Sequence, residues 1–98
     1  MAQFDVHTLS KGRLAIDCQS DLLNHLESRF VVPLVPREGG PTPARRFNPI
    51  FEIRGVEHVM LTQFSGAIDR RQLGEVVASL ADHAFEITGA LDVLISGV

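Results

Sequence analysis

Any chemistry in this 98-residue chain would have to come from four histidines, one cysteine and scattered carboxylates. His7, His25, His58 and His83 are far apart, no two sit at metal-ligand spacing on a common element, and none lies beside Cys18. The sequence therefore predicts no metal and no cofactor, with the histidines as packing or surface residues. Asp17-Cys18-Gln19-Ser20-Asp21 offers two acids and a hydroxyl. Where a strand runs into a turn, however, Ser20 and Asp21 are expected to hydrogen-bond their own backbone rather than to serve as nucleophile and acid. Cleavage of RNA would need an acid–base pair and a cation for the developing charge. Asp17, His25 and Arg29 form the one set of that kind, and nothing in their spacing shows that they converge. Gly39-Gly40 is flanked by prolines and lacks a following Lys-Ser/Thr, so it is no phosphate loop. No residue is assigned as catalytic.

The dibasic pairs Arg45-Arg46 and Arg70-Arg71 have only Phe47 as an aromatic neighbour, too little stacking surface for a nucleic-acid groove. Solvated loop charge is the plain expectation. The sharper alternative is an acidic, disordered peptide, because the arginine fork pairs well with carboxylates.

Composition narrows the classes. Acidic residues outnumber basic ones 12 to 9 and the net charge is −3, which argues against phosphate-driven binding of nucleic acid. Lys11 is the single lysine. With 45% apolar and 21% charged residues, positions 1–98 read as one domain, with enough core for one lobe but not for a two-lobed enzyme. A lone cysteine forms no internal disulfide and suits a reducing compartment. No run approaches the roughly 18 apolar residues of a membrane span, and Met1-Ala2-Gln3-Phe4-Asp5 carries an acid where a signal peptide carries bases. The expected location is the cytoplasm, away from membranes.

The elements that would position these groups are mostly strands. Phe4, Val6 and Thr8 alternate with Asp5 and His7; after Ser10-Lys11-Gly12, Leu14, Ile16 and Cys18 alternate with Asp17 and Gln19. This period of two predicts a β-hairpin with the first set buried and the acids facing water or a partner. The run Phe30 to Val35 predicts a third strand, with an edge or a bulge at Pro33. Residues 36–43, rich in Pro and Gly, predict an exposed loop. Phe47, Ile50, Phe51 and Ile53, then Arg54-Gly55, then Val59, Leu61 and Phe64 suggest two more strands around a tight turn, and Ala67 to Leu73 a short one. Leu73, Val76, Val77 and Leu80 have helical spacing, but Gly74 interrupts them and the segment is ambiguous.

The clearest helix comes last. Ile87, Ala90, Leu91, Leu94 and Val98 recur at intervals of three and four, with Asp82 as an N-cap and Glu86 in the first turns. Nine of the fifteen residues from Ala84 to Val98 are apolar, and Val93 and Ile95 fall off the main stripe. Either the sheet encloses the helix on several sides, or one face lies in an interface. A domain of this size has little sheet to spare, which favours the interface and, most simply, a two-fold homodimer. Ser96-Gly97-Val98 is then either a frayed end or a small apolar tip that fits a partner's pocket.

The residues resemble the CcdB toxins of toxin–antitoxin modules over essentially the whole chain. The resemblance is carried by Gln3-Phe4-x-Val6, Arg13-Leu14-x-x-Asp17-x-Gln19-Ser20-Asp21, Val32-Pro33-Leu34, Pro49, Ile53 and Met60-x-Thr62. Toward the end it continues through Leu73-Gly74-Glu75-x-Val77-Ala78-x-Leu80, Ile87, Ala90 and Gly97. It implies a mainly β fold with a C-terminal α-helix: an SH3-like barrel of antiparallel strands with a small additional sheet, paired as a homodimer. It further implies a plasmid-maintenance type of poison that binds the DNA gyrase A subunit and traps cleaved DNA, without being an enzyme. A cognate antitoxin with a disordered tail is the other implied partner; Arg13, Arg45 and Arg46 are candidates for its contacts.

The family's gyrase contact is concentrated in a terminal Trp-Gly-Ile, the end of the helix and an aliphatic pair after the Gln-Ser-Asp segment. The matching positions are Ser96, Gly97 and Val98, then Asp92 and Ile95, then Leu22 and Leu23. The glycine, the terminal aliphatic and the pair are kept, but the tryptophan is Ser96. Serine lacks the flat surface with which a Trp anchor stacks and fills a pocket. The departure leaves open a gyrase poison of altered potency, a redirected toxin, and a non-toxic homologue that only binds antitoxin. An mRNA-cleaving endoribonuclease on the same barrel is a further alternative.

Overall fold

The computed structural model describes residues 1–97, with the backbone alone described at Arg45. Val98 and the Arg45 side chain, both candidates above, lie outside the described residues. Seven strands are present: β1 (Asp5–Thr8), β2 (Leu14–Asp17), β3 (Ser28–Pro36), β4 (Ile50–Ile53), β5 (Val56–Met60), β6 (Gly66–Asp69) and β7 (Val76–Ser79). One helix, α1 (Ala84–Ser96), follows. All pairings are antiparallel, in the order β4-β5-β3-β2-β1-β7, with β6 on β3 off that path. The sheet curls into an SH3-like half-barrel.

The first hairpin forms as its alternation predicts, with Val6 opposite Ile16 and Thr8 opposite Leu14. Phe4, Val6, Ile16 and Cys18 enter the core with Val32, Leu34, Phe51, Ile53 and Met60. The opposite face differs from expectation at Asp17, which is buried and faces neither water nor a partner, while His7 is buried as a packing residue. Asp17 is matched by Arg29, and His7 is covered by the segment leading into β7.

β3 is a central strand, so Pro33 lies neither at an edge nor in a bulge of the β2 pairing. Its first half pairs with β6 (Ser28↔Asp69 to Val31↔Gly66), its second half with β5 (Leu34↔Met60 to Pro36↔His58), and β2 runs along the other side. The Cys18 N–H donates to the Phe30 carbonyl. By the two-residue alternation of an antiparallel ladder, the Ala15↔Pro33 pair then exchanges no hydrogen bonds. The missing proline N–H points instead into the gap between β6 and β5, where the Leu61 N–H donates to the Pro33 carbonyl. The expected small additional sheet is not separate among the described residues: the β4–β5 hairpin continues the same seven-stranded sheet through the second half of β3. The hairpin turn takes Arg54 and Gly55 at φ 51° and 81°, the double positive φ that hairpin twist favours.

The ambiguous 73–80 segment contains β7, an edge strand on β1. Gly74 is required there, since a Cβ would come within 2.4 Å of Thr8 Oγ1. α1 starts one residue later than the sequence suggests. Asp82 belongs to a preceding 3-10 turn (Ala81–His83), and no side chain caps the helix at His83. Ile87 and Ala90 are fully buried on the barrel, and the helix packs chiefly on the 3-10 turns Arg45–Phe47, Thr62–Phe64 and Ala81–His83. The sheet does not enclose it: Phe85 is 89% exposed and Ile95 82%.

Candidate partner-binding site

Among the described residues, the most exposed aliphatic side chains, Leu22 and Ile95, stand at two places. The first is the end of α1, where Leu94 and Ile95 are exposed beside exposed Asp92, Ser96 and Gly97. Helix geometry sets Ile95 roughly 90° from the centre of the face formed by Ile87, Ala90 and Leu91, on its flank, and it is left exposed. The Ser96 hydroxyl donates back to the Asp92 carbonyl at 2.7 Å. Gly97 ends the helix in the left-handed region (φ 79°), its N–H on the Val93 carbonyl. Glycine accepts this backbone freely, whereas any other residue there is strained.

The second place is the 3-10 turn Asp21–Leu23, entered from β2 and left toward β3. Leu22 is 88% exposed and Leu23 half as much. Ser20 forms the local bond expected of it, its Oγ accepting from the Leu22 N–H at 3.2 Å. Asp21 does not bond locally through its side chain; its Oδ1 accepts from the Gln3 N–H at 2.8 Å and so ties the N-terminal segment to the turn. No hydrogen bond links this turn to α1 among the described residues.

Beneath the turn, Asp17 and Arg29 form an ion pair with both side chains fully buried. Asp17 Oδ2 accepts from Arg29 NH2 at 2.6 Å and from Nε at 3.0 Å, while Oδ1 accepts from the Gln19 N–H. Arg29 NH1 donates to Asn24 Oδ1 at 2.9 Å. Of the acid, base and cation considered for RNA cleavage, two meet but are sealed from solvent. His25 is exposed and hydrogen-bonds to neither. The neighbouring Cys18 thiol is buried, and burial, aided by the Asp17 charge, pushes its pKa up to about 12. It remains a protonated core group rather than a nucleophile.

The other candidates are dispersed. Arg13 folds onto the Ser10–Gly12 turn, its Nε and NH2 donating to the Ser10 carbonyl and hydroxyl at 3.1 and 3.0 Å. It lines a groove with Leu34, Arg54, Val56 and His58. Arg46 lines a different groove, of about 790 Å³, between Pro49 and the Phe85–Gly89–Asp92 face of α1. Phe85 carries no signal in the sequence beyond its position off the apolar stripe. Arg70 and Arg71 are occupied: Arg70 donates to the Asn24 and Leu26 carbonyls, and Arg71 brackets Asp69, holding that carboxyl down at about 2. His7 places Nδ1 3.0 Å from the Gly74 carbonyl. A carbonyl can only accept, so Nδ1 carries the proton and the buried Nε2 is left without a partner among the described residues. Among the described residues no group of three or more His, Cys, Asp or Glu is placed to hold a metal ion, and no helix is long and apolar enough to cross a membrane.

The family model for the CcdB protein matches residues 3–97. The chain belongs to the CcdB family. It is thus a toxin-type chain of the toxin–antitoxin kind, and the expected SH3-like fold follows the same assignment. Among solved structures, an "endoribonuclease in complex with its cognate antitoxin from Mycobacterial species" superposes with a TM-score of 0.78. The two chains are 12% identical, and the match covers 97% of this one and 94% of the other. Two crystal forms of MazE-MazF from Deinococcus radiodurans give TM-scores of 0.75 and 0.76. Their identities are 19% and 20%, covering 98% and 100% of this chain and 95% and 98% of theirs. At such identities the CcdB-family chain and these proteins share a fold, and fold alone does not carry an activity across.

Proposed function

We propose that this CcdB-family chain acts as a homodimeric, non-enzymatic toxin in the cytoplasm. It binds the DNA gyrase A subunit, stabilises the cleaved DNA complex, and is neutralised by an antitoxin whose disordered tail wraps the dimer. One observation carries this reading: Leu22, Leu23 and Ile95, which family resemblance assigns to the gyrase contact, are among the aliphatic side chains that the fold leaves exposed. Ile95 and Leu22 are each more than four-fifths exposed, and Leu23 and Leu94 flank them. Grouped exposed apolar side chains mark candidate sites of protein–protein contact. In a two-fold dimer each such surface occurs twice.

Replacement of the family's tryptophan by Ser96 lowers the contact area at the tip, so the affinity expected for gyrase is lower than that of a Trp-bearing relative. Ser96→Trp is expected to tighten it. The antitoxin reading draws support from the solved neighbours, which are complexes of a toxin with its antitoxin. Exposed Arg13 and Arg46, with Arg45, are the proposed contacts for an acidic tail.

The second reading is an endoribonuclease, favoured by the similarity in fold to the mycobacterial endoribonuclease. Against it stands the burial of Asp17 and Arg29. Incubating the purified protein with gyrase and supercoiled DNA, and separately with RNA, distinguishes the readings. Trapped double-strand breaks with intact RNA are expected. Cleaved RNA without breaks would overturn the proposal in favour of the nuclease, and neither product would leave the non-toxic antitoxin-binding module.

A further inference from the structure

We infer that Asn24 and Gln19 are positioning residues: they connect the buried Asp17–Arg29 pair to the Asp21–Leu23 turn, so that Leu22 reaches a partner protein already ordered. The inference rests on the proposed contact of Leu22 and Leu23 with gyrase. It starts from a pair that the fold does not need for stability. Taking two charges out of water costs about as much as their attraction returns, and apolar residues of similar size commonly fill such a place as well. What an apolar pair cannot supply is directed donors. After Asp17 has taken Nε and NH2 of Arg29, NH1 remains, and it is aimed at Asn24 Oδ1 at 2.9 Å.

Gln19 repeats the arrangement one step away. Its side chain is buried, its Oε1 accepts from the Phe30 N–H and its Nε2 donates to the Leu23 carbonyl, both at 2.9 Å. Leu23 and Asn24 are thereby gripped from below by side chains rooted beside β2 and in β3. Surface turns are ordinarily the mobile parts of a domain. This one is held by two polar side chains, yet the residue at its crest, Leu22, is 88% exposed and packs on almost nothing in its own subunit. The restraint therefore has its use in recognition: an anchor fixed beforehand gives up less conformational freedom on binding.

The test is a double-mutant cycle read by titration of the intact protein with purified gyrase A subunit. Leu22→Ala is expected to weaken binding. Asn24→Ala is expected to weaken it about five- to tenfold with the melting temperature nearly unchanged, and to speed amide exchange at Leu22 and Leu23. Asn24→Asp keeps the acceptor for Arg29 and is expected to retain affinity. In the Leu22→Ala background, Asn24→Ala should add nothing further. Gln19→Met fills the same space but gives up the bonds to the Leu23 carbonyl and the Phe30 N–H, and its effect on binding follows the same pattern, which keeps the test open if Asn24→Ala folds poorly. An equal loss in both backgrounds, or no loss in either, overturns the positioning role while leaving the gyrase contact standing. Full affinity in Leu22→Ala removes the contact itself, and the positioning role with it.

Discussion

The turn at Leu22 and the tip of α1 display similar side chains on unlike foundations. Below Leu22 lies a chain of polar bonds that runs into a buried ion pair. Ile95 has only the helix behind it, whose last turn is closed by main-chain bonds, the Ser96 hydroxyl and Gly97. The first surface is ordered by tertiary contacts between β2 and β3, whose ion-paired residues lie twelve positions apart. The second depends on local helix propensity, which Gly89 weakens. Substitutions should therefore act differently on the two: breaking the buried ion pair should damage the whole fold, whereas substitutions in the helix should move only its end.

The largest contrast comes from Arg29→Ala, which leaves Asp17 charged and alone in the core. It should cost about 3–5 kcal/mol in urea unfolding, a large part of the stability of a domain this size. The double replacement Asp17→Leu with Arg29→Met should restore most of that loss, because no uncompensated charge remains. A smaller effect is expected at Gly97, whose φ of 79° is unfavourable for a side chain. Gly97→Ala should cost about 1–2 kcal/mol, visible as faster amide exchange in residues 94–97 with little change at Leu22. The smallest effect is a gain. A Cβ at Gly89 meets nothing within 4 Å, so Gly89→Ala should stabilise α1 by about 0.5–1 kcal/mol and raise the melting temperature slightly. Equal responses of both surfaces to Gly89→Ala would erase the distinction between them.

Much of this architecture is written locally. The Phe4–Val6–Thr8 and Leu14–Ile16–Cys18 alternations and the Arg54-Gly55 turn each contain the information for their own element. β7 is harder to read because Val76, Val77 and Leu80 sit at an edge, with one strand neighbour and Val76 half exposed, so the alternation of a half-buried strand is blurred. The Asp17–Arg29 pair is hidden in the sequence for a different reason. Its partners are twelve residues apart, and they meet through a register that sets Asp17 opposite Val31, two positions from Arg29 on the same face. An arginine opening an otherwise apolar strand is the available signal. The proposed binding positions are legible by resemblance to a family, since an exposed leucine looks like any other until its neighbours have been placed.

The state of Cys18 has a practical consequence. With its sulfur shut inside and its proton held to about pH 12, the native thiol should ignore maleimides at neutral pH. A cysteine introduced as Ile95→Cys or Leu22→Cys would then be the one site a dye attaches to, with no need to remove the natural residue. Dyes at these two positions would report on the proposed contact surface in solution.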